Sequence, residues 1–188
     1  MISVIHFKYL IGNFIRFLVN PNFHNYQNIS TKQKLVNVGI YYLFFQFIVL
    51  GLLLWYPVEI AEKLGIYNEL TSNESDFGVY YNIFTAIVLA PVIEEFIFRI
   101  SLGYYRNSGY FKWLYYGSSI IFGWIHIINY HFDCSHYIYI PFITLTQTFS
   151  GFMFGYIRIL YGFWYGVLLH TLFNTLGVIW FYTFGFDL

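Results

Sequence analysis

Residues 36 to 57 read VNVGIYYLFFQFIVLGLLLWYP, without one charged side chain. At about 1.5 Å of rise per residue, a helix of this length crosses the roughly 30 Å hydrocarbon core of a bilayer. The rest of the chain agrees with that reading. Of its 188 residues 59% are hydrophobic and only 10% are charged, too few charges to cover a soluble domain of this size. An ordinary soluble globular domain is excluded. Formal net charge is zero, so the totals point neither to nucleic acid nor to a polybasic membrane-surface patch. Partners are expected in the lipid bilayer.

Further apolar runs cover about Phe77 to Leu102, Trp113 to Asn129, Tyr137 to Tyr156 and Phe163 to Phe184. The expected fold is all-α: a polytopic membrane helix bundle of about five or more transmembrane helices. The N-terminal MISVIHFKYLIGNFIRFLVNPNF is apolar but interrupted by Lys8 and Arg16. It lacks the charged start, clean apolar block and small-residue cleavage site of a signal peptide. It reads as an amphipathic helix lying in the membrane interface and ending near Pro21. The organisation expected is a cytoplasmic amphipathic segment over residues 1–35 and a transmembrane bundle over 36–186. No repeat or linker marks a second domain.

Lys8, Arg16, Lys32 and Lys34 precede the first run, whereas the loop after it holds Lys63 against Glu59, Glu62, Glu69, Glu74 and Asp76. This asymmetry predicts a cytoplasmic N-terminus. Five crossings then bring Arg106, Lys112 and Arg158 to the cytoplasmic side and leave Asp133 and Asp187 on the other. Cys134, the single cysteine, has no partner for an internal disulfide and takes no role. Gly151 and Gly155 form a GxxxG that lets two helices approach closely.

The second run contains 90-APVIEEFIFRI-100. Unpaired and facing lipid, each of its ionised residues would cost about 2.5 to 3.5 kcal/mol. Glu95 and Arg99 are four apart with the acid first, the favourable order for an ion pair. Glu94 is rotated about 100° from Glu95 and cannot readily share that arginine. One glutamate is expected to be paired and the other to face a cavity. Pro91 removes a backbone hydrogen bond about one turn before Glu94, and a kink there suits a water-lined pocket. A purely structural charge network, or an Arg99 snorkelling to the interface, would produce the same sequence.

Two later runs hold a histidine each, in 122-FGWIH-126 and 170-HTLFN-174. His170 and Asn174 are four apart and share a helix face. Glu94, His126, His170 and Asn174 can therefore meet in one intramembrane pocket. A desolvated carboxylate is a stronger base than one in water and, with a histidine, can activate a water molecule. A second histidine and an asparagine amide can donate to the oxyanion of a tetrahedral intermediate. That set suits peptide hydrolysis. Ser118, Ser119 and Ser150 lie in apolar runs with no base beside them. Zinc is the chemical rival, because Glu94, His126 and His170 could supply three ligands, although no HExxH is present. HFDCSH, from His131 to His136, reads as a polar loop.

EEFIFR at 94–99, FGWIH at 122–126 and HTLFN at 170–174 resemble, in order and spacing, the EExxxR, FxxxH and HxxxN motifs of the CAAX protease and bacteriocin-processing (CPBP, or Abi) membrane family. That family includes the prenyl-protein CAAX endopeptidases, and the similar region covers about residues 77–184. The resemblance implies an intramembrane endopeptidase in which Glu94 and His126 activate water, His170 and Asn174 form the oxyanion site, and Glu95 with Arg99 support them. It implies a glutamate-type enzyme without a cofactor, although the family is often labelled metalloprotease. The implied substrate is a membrane-bound or lipid-anchored peptide or protein. The chain is compact, like small bacterial members that process bacteriocins or signalling peptides or confer self-immunity. Its wealth of Phe, Tyr, Ile and Asn fits an AT-rich genome and a bacterial cytoplasmic membrane. The alternative is a catalytically silent scaffold or immunity protein that uses the same polar cluster for structure or partner binding. A transporter is disfavoured by the missing repeat.

Overall fold

The computed structural model describes residues 3–21, 29–73 and 77–184. Glu74, Asp76 and Asp187, used in the charge argument above, lie outside the described residues, as do parts of the 1–35 segment. Helix α1 is Val4–Val19. Helix α2 runs unbroken over Thr31–Lys63. Val79–Phe84, Thr85–Leu89 and Ala90–Tyr104 follow one another as a single helix, α3, whose middle section is wound in wide π turns. Helix α4 is Phe111–Ile125, α5 is Leu145–Tyr161 and α6 is Phe163–Phe184. The all-α expectation holds apart from one two-residue ladder. Among the described residues, α2 and α6 have both the length and the apolarity to cross a membrane. Helix α3 carries Glu94, Glu95 and Arg99, while α4 has 15 residues before it continues into the 3-10 turn His126–Asn129, and α5 has 17, at the short end of the roughly 17 to 25 typical of a crossing.

Ser3 caps α1, its hydroxyl accepting the His6 N–H at 3.3 Å. The helix buries Leu10, Phe14 and Phe17. Phe14 packs on Tyr156 of α5 (ring centroids 5.3 Å apart) and Phe17 on Tyr115 of α4 (5.0 Å). Its other side leaves Ile5, Tyr9, Ile15 and Val19 exposed, so the helix is apolar toward both the bundle and its surroundings. Asn37 ties this end together. Its Oδ1 lies 2.9 Å from His6 Nε2, and its Nδ2 donates to the Tyr161 hydroxyl at 2.8 Å.

Helices α4 and α5 touch through glycine. A Cβ at Gly123 would stand 2.7 Å from the Thr148 backbone, and one at Gly151 would stand 2.9 Å from the Ser119 carbonyl. These distances are shorter than side chains tolerate, so the expected close approach at Gly151 is a real constraint.

At the far end of α2, Thr71–Ser72 (β1) pairs antiparallel with Tyr130–His131 (β2), placing Thr71 opposite His131. Asn73 Nδ2 adds a bond to the Ile128 carbonyl (2.8 Å), and His136 Nε2 to the Asn68 carbonyl (3.1 Å). The His131–His136 stretch is thus a folded clasp. Asp133 caps the short 3-10 helix Cys134–Tyr139, and His136 closes the capping box.

Zero net charge conceals a polarised molecule. Lys32 and Lys34 open α2, and Lys34 reaches the Tyr165 ring at the start of α6 (5.8 Å). Arg158 closes α5 and donates to the Arg99 carbonyl (3.4 Å), while Arg106 and Lys112 line one notch beside Pro21. Glu59, Glu62, Glu69 and Asp133 gather at the clasped end. The totals alone predicted no basic patch; antiparallel helices build a basic end, because charges spaced along the chain return to the same pole.

Candidate active site

A cavity of about 500 Å³ opens between α2, α3, α4, α5 and α6. All four residues expected to carry the chemistry, Glu94, His126, His170 and Asn174, line it. Their positions follow from the helices. Glu94 stands one turn past Pro91, His126 ends α4, and His170 and Asn174 lie one turn apart on α6.

Glu94 Oε2 lies 3.8 Å from His126 Nε2 and 3.7 Å from His170 Nε2. Both separations exceed a direct hydrogen bond. That oxygen is buried and accepts no hydrogen bond from the described residues. His126 Nδ1 is 2.6 Å from the Phe122 carbonyl. A carbonyl only accepts, so Nδ1 carries a proton, and Nε2 is the ring nitrogen that faces Glu94. The Phe122 ring packs against the same imidazole (4.7 Å).

His170 is clamped. Its ring stacks on Phe154 at 4.2 Å and meets Phe122 edge-on at 5.8 Å. While Nε2 faces Glu94, Nδ1 faces Glu95 Oε1 at 3.4 Å. The expected Glu95–Arg99 ion pair is corrected here: among the described residues no Glu95–Arg99 contact falls within 4.0 Å. Both side chains are fully buried. Glu95 turns instead to His170 and to Gly166, where a Cβ would stand 3.0 Å from Glu95 Oε2. Arg99 spans three helices. Its Nη2 donates to the Gly151 carbonyl (3.2 Å), its Nη1 reaches the Ser118 carbonyl (3.5 Å), and its guanidinium sits 4.5 Å over the Phe122 ring. Through Phe122, Arg99 steadies the residue that orients His126.

Asn174 Nδ2 donates to the Ala86 carbonyl at 2.8 Å, inside the π section of α3. One of its two amide hydrogens is thereby committed to backbone.

The serines have other partners. Ser118 and Ser119 donate to the Tyr115 carbonyl (3.2 and 2.9 Å), and Ser150 accepts from Gln46 Nε2 (3.2 Å). Gln46 escaped the sequence reading. A lone amide inside the apolar run of α2 was its signal, and it is fully buried. Thr85, Asn129, Thr146 and Gln147 also supply polar wall without any motif to announce them.

The model of the type II CAAX prenyl endopeptidase Rce1-like family matches residues 76–176, more than half of the chain, and all three motifs fall inside the match. The chain belongs to this family. Comparison with curated proteins and with solved structures gave no match. The Rce1-like family is one of membrane-embedded proteases, so the cavity of this Rce1-like chain is that of a protease-family protein. The match ends two residues past Asn174, just after the last polar cavity residue on α6.

Proposed function

We propose that this chain is an intramembrane endopeptidase that hydrolyses a peptide bond in a membrane-associated or lipid-anchored peptide or protein. One observation carries the reading: a single buried carboxylate oxygen, Glu94 Oε2, stands between the Nε2 atoms of His126 and His170 on a cavity wall. Atoms 3.8 Å apart can both touch one water at about 2.8 Å. Glu94 takes a proton from that water with His126 orienting it, the oxygen adds to the scissile carbonyl carbon, and an N–H of His170 with the free N–H of Asn174 receives the oxyanion. When the C–N bond breaks, Glu94 returns the proton to the departing amine. Glu95 holds the His170 ring from behind, and Arg99 holds Phe122.

The chemistry proposed is of the glutamate type and uses no cofactor. Tetrahedral zinc held by these residues would draw their nitrogen and oxygen atoms from 3.7 and 3.8 Å to roughly 3.3 Å of one another, and metal removal is the test. Chelation is expected to leave cleavage intact. Loss of cleavage that zinc alone restores would reverse this part of the proposal.

We further propose five crossings, formed by α2 to α6, with α1 in the interface and the basic end in the cytoplasm of a bacterial cell. The segregation of charge along the bundle supports that orientation. Residues 1–35 then form the cytoplasmic segment and 36–186 the transmembrane bundle.

The test compares wild type and Glu94→Gln at equal membrane levels in cells lacking a native copy, reading all membrane and secreted peptide termini by mass spectrometry. Termini that vanish with Glu94→Gln identify the substrate. Identical termini in both strains, with both forms rescuing the deletion, sink the catalytic reading.

A further inference from the structure

In a π turn each carbonyl pairs with the N–H five residues on. The Ala90 N–H donates to the Thr85 carbonyl in this register. The next carbonyl, that of Ala86, falls opposite residue 91, and proline has no N–H to give. The side chain of Asn174 supplies the missing donor at 2.8 Å. Because a carbonyl only accepts, the atom facing it must be the amide nitrogen, so this bond fixes which way the amide is turned. Asn174 is also part of the cavity wall that holds Glu94 and His170.

We infer that Pro91 is a positioning residue for the reaction: by withholding its N–H it keeps the Ala86 carbonyl open, and that carbonyl holds the Asn174 amide with its second hydrogen directed at the reacting oxygen. The inference rests on the oxyanion role proposed for Asn174 and adds what sets that role. It gives the proline a task distinct from bending the helix. A bend alone would move Glu94, whereas the open carbonyl acts on α6.

Pro91→Ala restores an N–H in register. The helix then pairs the Ala86 carbonyl internally, and the Asn174 amide is released. Two double-mutant cycles test the chain of effects. The first reads thermal unfolding of the full-length protein in detergent and does not depend on activity. Asn174→Ala strands the Ala86 carbonyl and lowers Tm by about 2–8 °C, and adding Pro91→Ala recovers most of that loss. If the double variant is no more stable than Asn174→Ala, the hydrogen-bond exchange is wrong and the inference falls.

The second cycle reads kcat and KM on a farnesylated, internally quenched CAAX peptide. Asn174→Ala is expected to lower kcat about a hundredfold, the scale of losing one oxyanion donor. Pro91→Ala alone lowers kcat about tenfold or more with KM held within about twofold. Combined, the two lose no more than Asn174→Ala alone, because they remove the same donor. A Pro91→Ala variant with wild-type kcat overturns the inference. So do losses that multiply, which would mean that the proline acts through the bend. A wild type that cleaves no peptide in a Glu94-dependent way fails the proposed function instead, and the stability cycle still decides whether Pro91 opens the carbonyl that Asn174 fills.

Discussion

Glu94 and Glu95 are neighbours in the chain and occupy opposite environments. The Glu94 side chain is 27% exposed and borders a cavity of about 500 Å³, whereas Glu95 is fully enclosed between His170 and the backbone at Gly166. A rotation of about 100° along α3 separates a carboxylate that water can reach from one that water cannot. The same division runs through the whole bundle. The cavity side gathers Glu94, His126 and His170 around open space, and the dry side uses Arg99 to bond two carbonyls and cover one aromatic ring. Under the proposed function, residues of one chemical type thus serve reaction on one side and assembly on the other.

That contrast fails most visibly if Glu94 is not the base. Glu94→Gln is expected to lower kcat by about 10²- to 10⁴-fold with membrane level and Tm unchanged, read on the farnesylated quenched peptide and by thermal unfolding. Equal turnover in the variant would erase the distinction between the two glutamates. Arg99→Met should act through stability. It strands the Gly151 and Ser118 carbonyls and removes one of the cations near the buried Glu95, at a cost of about 3 kcal/mol, visible as low abundance and a lower Tm. An abundant, thermally normal Arg99→Met protein that is inactive would move Arg99 to the reactive side.

Smaller effects sharpen the boundary. Gly123→Val must push α4 from α5, because its Cβ would meet the Thr148 backbone at 2.7 Å; a loss of about 1–3 kcal/mol is expected in unfolding experiments. Part of the kcat should go with it, since His126 ends the displaced helix. Ser150→Ala removes the acceptor of the Gln46 amide and should cost about 1 kcal/mol while leaving kcat within about threefold. If Ser150→Ala abolishes cleavage, a serine nucleophile replaces the glutamate base and the two sides must be redrawn.

Much of the helix pattern was legible because a bilayer imposes a length and a polarity on any segment that crosses it. The run at 36–57 lies within the unbroken helix Thr31–Lys63. The motifs named the cavity residues because charges and imidazoles are costly in apolar surroundings and seldom occur there without partners. Spacing within one helix was a poorer guide to partners. Glu95 and Arg99 have the right separation for an ion pair, but the Gly151 and Ser118 carbonyls compete for the guanidinium, and these come from helices far along the chain. The polar loop at 131–136 was read correctly as non-apolar, yet its capping box and its pairing with residues 71–73 needed the 68–73 segment laid against it.

By itself the sequence determined that the chain is helical and built for a membrane, and which few polar groups its apolar runs would have to accommodate. Both follow from local quantities, hydropathy and the 3.6-residue turn. Only the tertiary structure decided who partners whom: His170 between two glutamates, Arg99 across three helices, and Asn174 at the carbonyl that Pro91 leaves open. Those choices depend on distances between residues remote in the chain, and hydrogen bonds and ion contacts are decided within an ångström that no spacing along a single helix can specify.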